Sequence, residues 1–188
     1  FEGAVQGTVD WELTGQHNVA NALACLAAAR HVGVTAAQGC AALGTFKSVK
    51  RRMEKVAEVN GITIFDDFAH HPTAIATTLD GLRKRVGGAP IIAVIEPRSN
   101  SMKLGAHRDG LADSVSQADR AIWYAPANLG WDLAASVAGA PVPSEVCDSL
   151  EAIIAAVKAA ATPSTQVVVM SNGGFGGLHG KLAKALAE

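Results

Sequence analysis

Aromatic residues are scarce, at 5% of the chain. Apolar runs of about eighteen residues, the length a membrane helix needs, are absent. The first scarcity argues against an all-β sandwich: alanine and glycine supply much of the apolar count and suit helices packed closely on a sheet. The second excludes a spanning helix. The N-terminus also lacks a basic region followed by an apolar stretch and a small-residue cleavage site, so export by that route is not expected. Net charge is nearly zero: 16 basic and 17 acidic residues leave -1. No general field draws the chain to nucleic acid or an anionic membrane, and any bound anion must be held locally. Three cysteines, Cys25, Cys40 and Cys147, are odd in number and lack metal-ligand spacing. They point to reduced thiols in a cytoplasm rather than a disulfide framework. No G-x-x-x-x-G-K-[ST] phosphate loop occurs, and neither an internal repeat nor a low-complexity segment is visible. Phe1, not methionine, opens the chain, so we read it as a cut piece of a longer polypeptide.

What is present is a well-buried globular chain of 188 residues, 49% of them hydrophobic. Residues 16–31 carry Val19, Leu23, Leu26 and Ala27 at helical spacing, which predicts a buried helix stopping near Gly33. Thr35 and Gln38 make a capping box for a short second helix ending near Gly44, and residues 46–50 read as a linker. This predicts a division at residue 46: a short helical tail over 1–45 and a second domain over 46–188. In the second part, EKVAEV, the turn Asn60-Gly61 and ITIFDD form a hairpin. Helices and strands then alternate: a helix from Pro72 to about Val86, the strand IIAVIE, a helix from about His107 to Gln117, and the strand RAIWYAP. Further helices near residues 132–137 and 149–161, the strand QVVVMS and a closing helix from Gly177 complete the series. The expected fold class is α/β, a Rossmann-like, doubly wound and mostly parallel sheet with an antiparallel hairpin strand.

Ligands of such sheets sit beyond the carboxyl ends of the strands, where free helix N–H groups converge. Four segments lie there: DDFAHHP, EPRSNSMK, APANLGW and SNGGFGG. In the last, glycines allow the backbone to approach an anion closely, although a tight turn alone needs the same residues. In EPRSNSMKLG, Arg98, Asn100 and Lys103 suit a peptide carboxylate, as solvated loop residues also would. Trp123, Trp131 and Phe175 either pack around this face or belong to the core. Upstream, Asn18 and Asn21 sit three apart in the first turn of a helix; two amides suit an adenine edge, or Asn18 and His17 simply cap the helix. Arg51-Arg52 before the hairpin and Asp66-Asp67 at its end suit phosphate oxygens and a ribose diol, or surface salt bridges. DDFAHHP alone also reads as a metal site, which makes a metallohydrolase one alternative and a non-catalytic Rossmann-like binding module another. Against the metal stand the divergent directions of adjacent His70 and His71.

GQHNVANALACLAAA, then RRME, then DDFAHHPTAI, in this order, resemble the Mur ligases, the ATP-dependent enzymes that build the peptide of peptidoglycan. The later segments EPRSNSMKLG, NLGWD and MSNGGFGGLHGKL are similar to the member that joins L-alanyl-γ-D-glutamyl-meso-diaminopimelate to UDP-N-acetylmuramate in peptidoglycan recycling. The resemblance implies ATP and Mg2+ as cofactors, held mainly by a central domain, and the sugar nucleotide and murein tripeptide as substrates. It implies an acyl phosphate attacked by the incoming amine. By the same likeness Asn18 and Asn21 meet the adenine, Arg52 the phosphates and Asp67 the ribose, with His70 nearby. Arg98, Asn100, Asn128 and the backbone of Asn172, Gly173 and Gly174 hold the tripeptide. The Asp-Asn-Pro-Arg signature of the diaminopimelate-adding ligase is absent, and APANLGW stands in roughly its place. Without a phosphate loop, these 188 residues alone are expected not to catalyse ligation. The further partners implied are the protein's own N-terminal and central domains, with no nucleic acid and no membrane.

Overall fold

Asn60 and Gly61 take φ of 50° and 77°, the left-handed pair that a two-residue hairpin turn requires and that asparagine and glycine tolerate best. The turn joins β1 (Glu54–Val59) to β2 (Ile62–Asp67) as an antiparallel pair, with Val59 opposite Ile62. A register shift between Lys55 and Ala57 bulges β1 and leaves Val56 exposed on this sheet edge. The computed structural model describes residues 1–98, 107–127 and 129–188.

After β2 come α3 (Pro72–Val86), opened by proline in its first turn, and β3 (Ile91–Ile95), buried throughout. A 3-10 turn at Arg108–Gly110 leads into α4 (Leu111–Ser114), followed by β4 (Arg120–Tyr124). Asp132 caps α5 (Leu133–Val137), β5 (Ser144–Cys147) follows, and Ser149 caps α6 (Leu150–Ala160). The chain closes with β6 (Gln166–Met170), a 3-10 turn at Phe175–Gly177 and α7 (Leu178–Ala187).

Among the described residues the sheet has six strands in the order β1-β2-β6-β3-β4-β5, parallel except for the hairpin. On one face α3, α4 and α5 cover Ile91, Ala93, Ile95 and Trp123. On the other, α6 and α7 cover Ile92, Val94, Val167 and Val169, with Phe175 in the same core. Trp123 and Phe175 are therefore core residues, and Trp131 packs against the first core. The helices that follow the neighbouring strands β3 and β6 lie on opposite faces. That is the topological switch at which an open sheet parts into a crevice.

Two elements after β3 differ from the sequence reading. The helix expected over 107–117 is shorter: beyond Ser114 the chain tightens into three-residue turns, with Ser116 N–H donating to the Asp113 carbonyl at 3.2 Å and Ala118 N–H to that of Val115 at 2.9 Å. The strand β5 has no sequence signal, being four residues of mixed polarity just after two prolines. It forms because β4 offers an open edge: Ala121 N–H donates to the Pro143 carbonyl and Ala125 N–H to that of Cys147.

Residues Phe1–Val49 make a separate compact unit from Lys50–Glu188. The first unit holds α1 (Gln16–His31) and α2 (Ala36–Gly44), the latter with the expected capping box between Thr35 and Gln38. The expectation that α1 is a buried helix is corrected: Ala22 is its one buried residue, while Val19 and Leu23 are 45% and 63% exposed. So short a unit has too little chain to cover both sides of a helix. Among the described residues no helix is long and apolar enough to cross a membrane.

Candidate functional site

At the switch point the chain leaves β3 through Glu96 and β6 through Ser171, both buried. Ser171 Oγ donates to Glu96 Oε2 at 2.5 Å and accepts from Gly173 N–H at 2.9 Å. Ser171 N–H donates to the Asp67 carbonyl at 3.1 Å, which draws the end of β2 into the same crevice. The exposed Arg98 lies directly over Gly173, where a Cβ would overlap its guanidinium. Only glycine permits this approach. Two of the residues expected to hold a peptide thus meet, while Gly174 is exposed beside them and Asn172 is half-buried, its Oδ1 without a hydrogen-bond partner among the described residues. Asn100 and Asn128 lie outside the described residues.

The loop after β2 is organised by Asp67. Its Oδ2 accepts from Met53 N–H at 2.9 Å and its Oδ1 from Ala69 N–H at 2.8 Å, with Thr78 Oγ1 at 3.4 Å. The residue is 2% exposed. Burial pushes its carboxyl above the usual range, against the lowering effect of these hydrogen bonds and of nearby Arg52. The carboxylate is turned into the protein, not toward an open face. Arg52 is exposed beside it. His70 Nδ1 lies 2.9 Å from the Phe68 carbonyl, and His71 caps α3 by accepting from Thr73 N–H. The His71 ring also stacks edgewise on His107 at 4.1 Å, and burial followed by the two neighbouring imidazoles lowers its pKa.

A third group joins Arg51 and Asp66, read from the sequence as phosphate and ribose ligands or as a salt bridge, with His179, which was not singled out. Arg51 Nε donates to Asp66 Oδ2 at 3.1 Å, and His179 Nε2, from the first turn of α7, lies 3.2 Å from Asp66 Oδ1. The latter contact is a close approach off the line of a good hydrogen bond, since Nε2 has no hydrogen-bond partner among the described residues. Nothing in the sequence places His179 against Asp66; the fold alone does so.

Burial lowers the His179 pKa, Asp66 and Glu54 oppose that shift, and Arg51 reinforces it. With its folded value below the unfolded one, the imidazole stays neutral in the fold while the unfolded chain takes up a proton below about pH 6.5. Stability that is present above that value is lost as pH falls. The urea midpoint is therefore expected to drop between about pH 7.5 and 5.5, and to drop less in His179→Gln. Equal slopes for the two proteins would refute the assignment.

The four polar side chains of DDFAHHP thus point to separate partners. Among the described residues no three His, Cys, Asp or Glu gather as a metal-holding set. All three cysteines are free. In the other unit, Asn18 Nδ2 donates back to the Thr14 carbonyl at 2.7 Å, Asn21 is exposed, and Gly15 rather than a side chain caps α1.

The family profile described as Mur ligase, glutamate ligase domain, matches residues 51–173. The chain belongs to the Mur ligase family. It carries the Mur ligase C-terminal domain, a mixed α/β domain in which one antiparallel hairpin opens a parallel sheet. It is 47% identical to the Escherichia coli K12 UDP-N-acetylmuramate–L-alanyl-γ-D-glutamyl-meso-2,6-diaminoheptandioate ligase, over 100% of this chain and 41% of the relative. A crystal structure of a murein peptide ligase from Psychrobacter arcticus 273-4 superposes with a TM-score of 0.76 and 46% identity, covering 96% of this chain and 39% of that one. A crystallised domain assigned to the same ligase type in Haemophilus ducreyi 35000HP covers 72% of this chain and all of its own, with a TM-score of 0.63 and 39% identity. This Mur ligase chain spans about two-fifths of the length of the first two relatives.

Proposed function

We propose that the chain is the C-terminal part of an ATP-dependent ligase that joins L-alanyl-γ-D-glutamyl-meso-diaminopimelate to UDP-N-acetylmuramate through an acyl phosphate. The observation that carries the reading is identity of 47% with the Escherichia coli ligase over the whole chain, including segments outside the shared family motifs. Residues 1–45 are then the tail of the central ATP-binding domain and 46–188 the C-terminal domain. The exposed apolar side chains of α1, Val19 and Leu23, support that division, since they suit cover by the remainder of a larger domain.

Within this reading Arg52 and His70 face the nucleotide, and Asn18 and Asn21 meet the adenine. Asp67 serves the ribose side through the loop it shapes, because both of its oxygens are held by its own chain. Arg98, lying on Gly173, takes a carboxylate of the tripeptide, with Asn172, Gly174, Asn100 and Asn128 as its companions. The donor set here is cationic and amide-rich, which suits phosphates and carboxylates. Mg2+ is left to the phosphate oxygens and to the rest of the central domain, where it balances phosphate charge.

The test uses the full-length protein and follows ADP release. Release is expected to require both UDP-N-acetylmuramate and the tripeptide, and the 188-residue chain alone is expected to give none. ADP release by the full-length protein that is indifferent to the tripeptide would reject the assignment.

A further inference from the structure

We propose that Arg51 is a positioning residue for the peptide side of the site. Its guanidinium fastens the first residues of the Lys50–Glu188 unit to the loop after β6, and so fixes the bed on which Arg98 lies. The inference rests on the ligase reading above.

Arg51 has a backbone φ of 61°, a left-handed conformation that a non-glycine residue adopts only where its surroundings compensate for it. Here they do. Its N–H donates to Glu54 Oε2 at 2.8 Å, and its carbonyl accepts from Phe68 N–H at 2.9 Å. These two bonds hold the side chain over the carboxyl ends of β2 and β6.

The guanidinium then reaches three partners. Nε donates to Asp66 Oδ2 at 3.1 Å, while Nη2 donates to the carbonyls of Ser171 at 2.5 Å and Gly173 at 2.8 Å. The Phe68 ring lies 5.4 Å from Cζ on another side. A glycine-rich loop has little side-chain packing of its own, so carbonyls turned inward need a donor to keep their orientation. One planar fork supplies it to two of them at once and is neutralised by Asp66; a lysine ammonium has no such geometry. Gly173 is the shared element. Its carbonyl is held by Arg51, its N–H by Ser171 Oγ, and its Cα is covered by Arg98. Loss of the Arg51 bonds releases Gly173 and with it the surface that orients Arg98. Two neighbouring arginines thus divide their work: Arg52 stands exposed beside Asp67, and Arg51 sets the glycine loop.

The test is steady-state ATP turnover by the full-length protein with both substrates. Arg51→Ala is expected to raise KM for the tripeptide about tenfold while KM for ATP stays within about twofold. Arg51→Lys should recover part of the loss, since a point charge reaches one carbonyl but not the whole set. Gly173→Ala, which displaces Arg98 and leaves Arg51 in place, should reproduce the tripeptide effect. An unchanged tripeptide KM in Arg51→Ala, or an equal rise in both KM values, overturns the proposal. Should Arg51→Ala fail to fold, the same split read in Arg51→Lys decides. Wild-type protein without tripeptide-dependent turnover sinks the ligase reading and this inference together; wild-type turnover with the wrong split sinks this inference alone.

Discussion

Replacing Asp67 with alanine is expected to cost the chain roughly 2–5 kcal/mol of stability, because each buried donor left unsatisfied costs about 1–3 kcal/mol. The two donors are Met53 N–H and Ala69 N–H, and each bonds one oxygen of the same carboxylate. Met53 has φ of 48°, so the backbone there is held by this bond rather than by its own preference. Asp67→Asn should recover part of the loss: its amide oxygen satisfies one N–H, while its NH2 group faces the other donor. The sign of the pH dependence follows from burial, which raises the carboxyl pKa in the fold. Its titration contributes most stability below the unfolded value and loses it as pH rises through the folded one. The penalty of Asp67→Ala is therefore larger in mild acid, near about pH 4, than at neutrality. Urea midpoints of the 188-residue chain, with faster amide exchange at Met53 and Ala69, measure the effect. Unchanged exchange at both amides would show that the carboxylate does not hold this loop.

The elements legible in the sequence were those whose signals are local. Asn60-Gly61 specifies its turn by two φ values, Thr35 and Gln38 specify a cap by a spacing of three, and Pro72 opens a helix by its missing N–H. The crevice could be placed because strand-helix alternation fixes which loops share the carboxyl ends, and Arg98 does meet Gly173 there. What escaped depends on partners far along the chain. The strand β5 exists through the open edge of β4, and His179 reaches Asp66 only once α7 packs across the sheet. The exposure of α1 is of the same kind, since helical spacing shows which face is apolar but not what covers it. The roles of Asp66 and Asp67 likewise depend on alternation along β2: one carboxylate meets Arg51 and His179, and the other turns to the backbone of its own loop.

In the full-length protein, Arg52→Ala is expected to lower kcat/KM for ATP about 100-fold, the upper range for a charge-assisted bond to phosphate. The side chain is exposed, so its removal should leave the fold intact. Arg52 favours the ionised form of Asp67, so without it that carboxyl shifts further upward. Stability and turnover therefore separate the two arginines and the acid. Arg52→Ala should turn over ATP poorly with a normal urea midpoint, Asp67→Ala should unfold early, and Arg51→Ala should show its defect on the peptide. Arg52→Lys is expected to restore an intermediate rate, since a point charge still attracts phosphate while the bidentate fork is gone. If Arg52→Ala turned over ATP as the wild type does, the phosphate would have to be met by another cation, and the assignment of the second arginine of RRME to the nucleotide would fail.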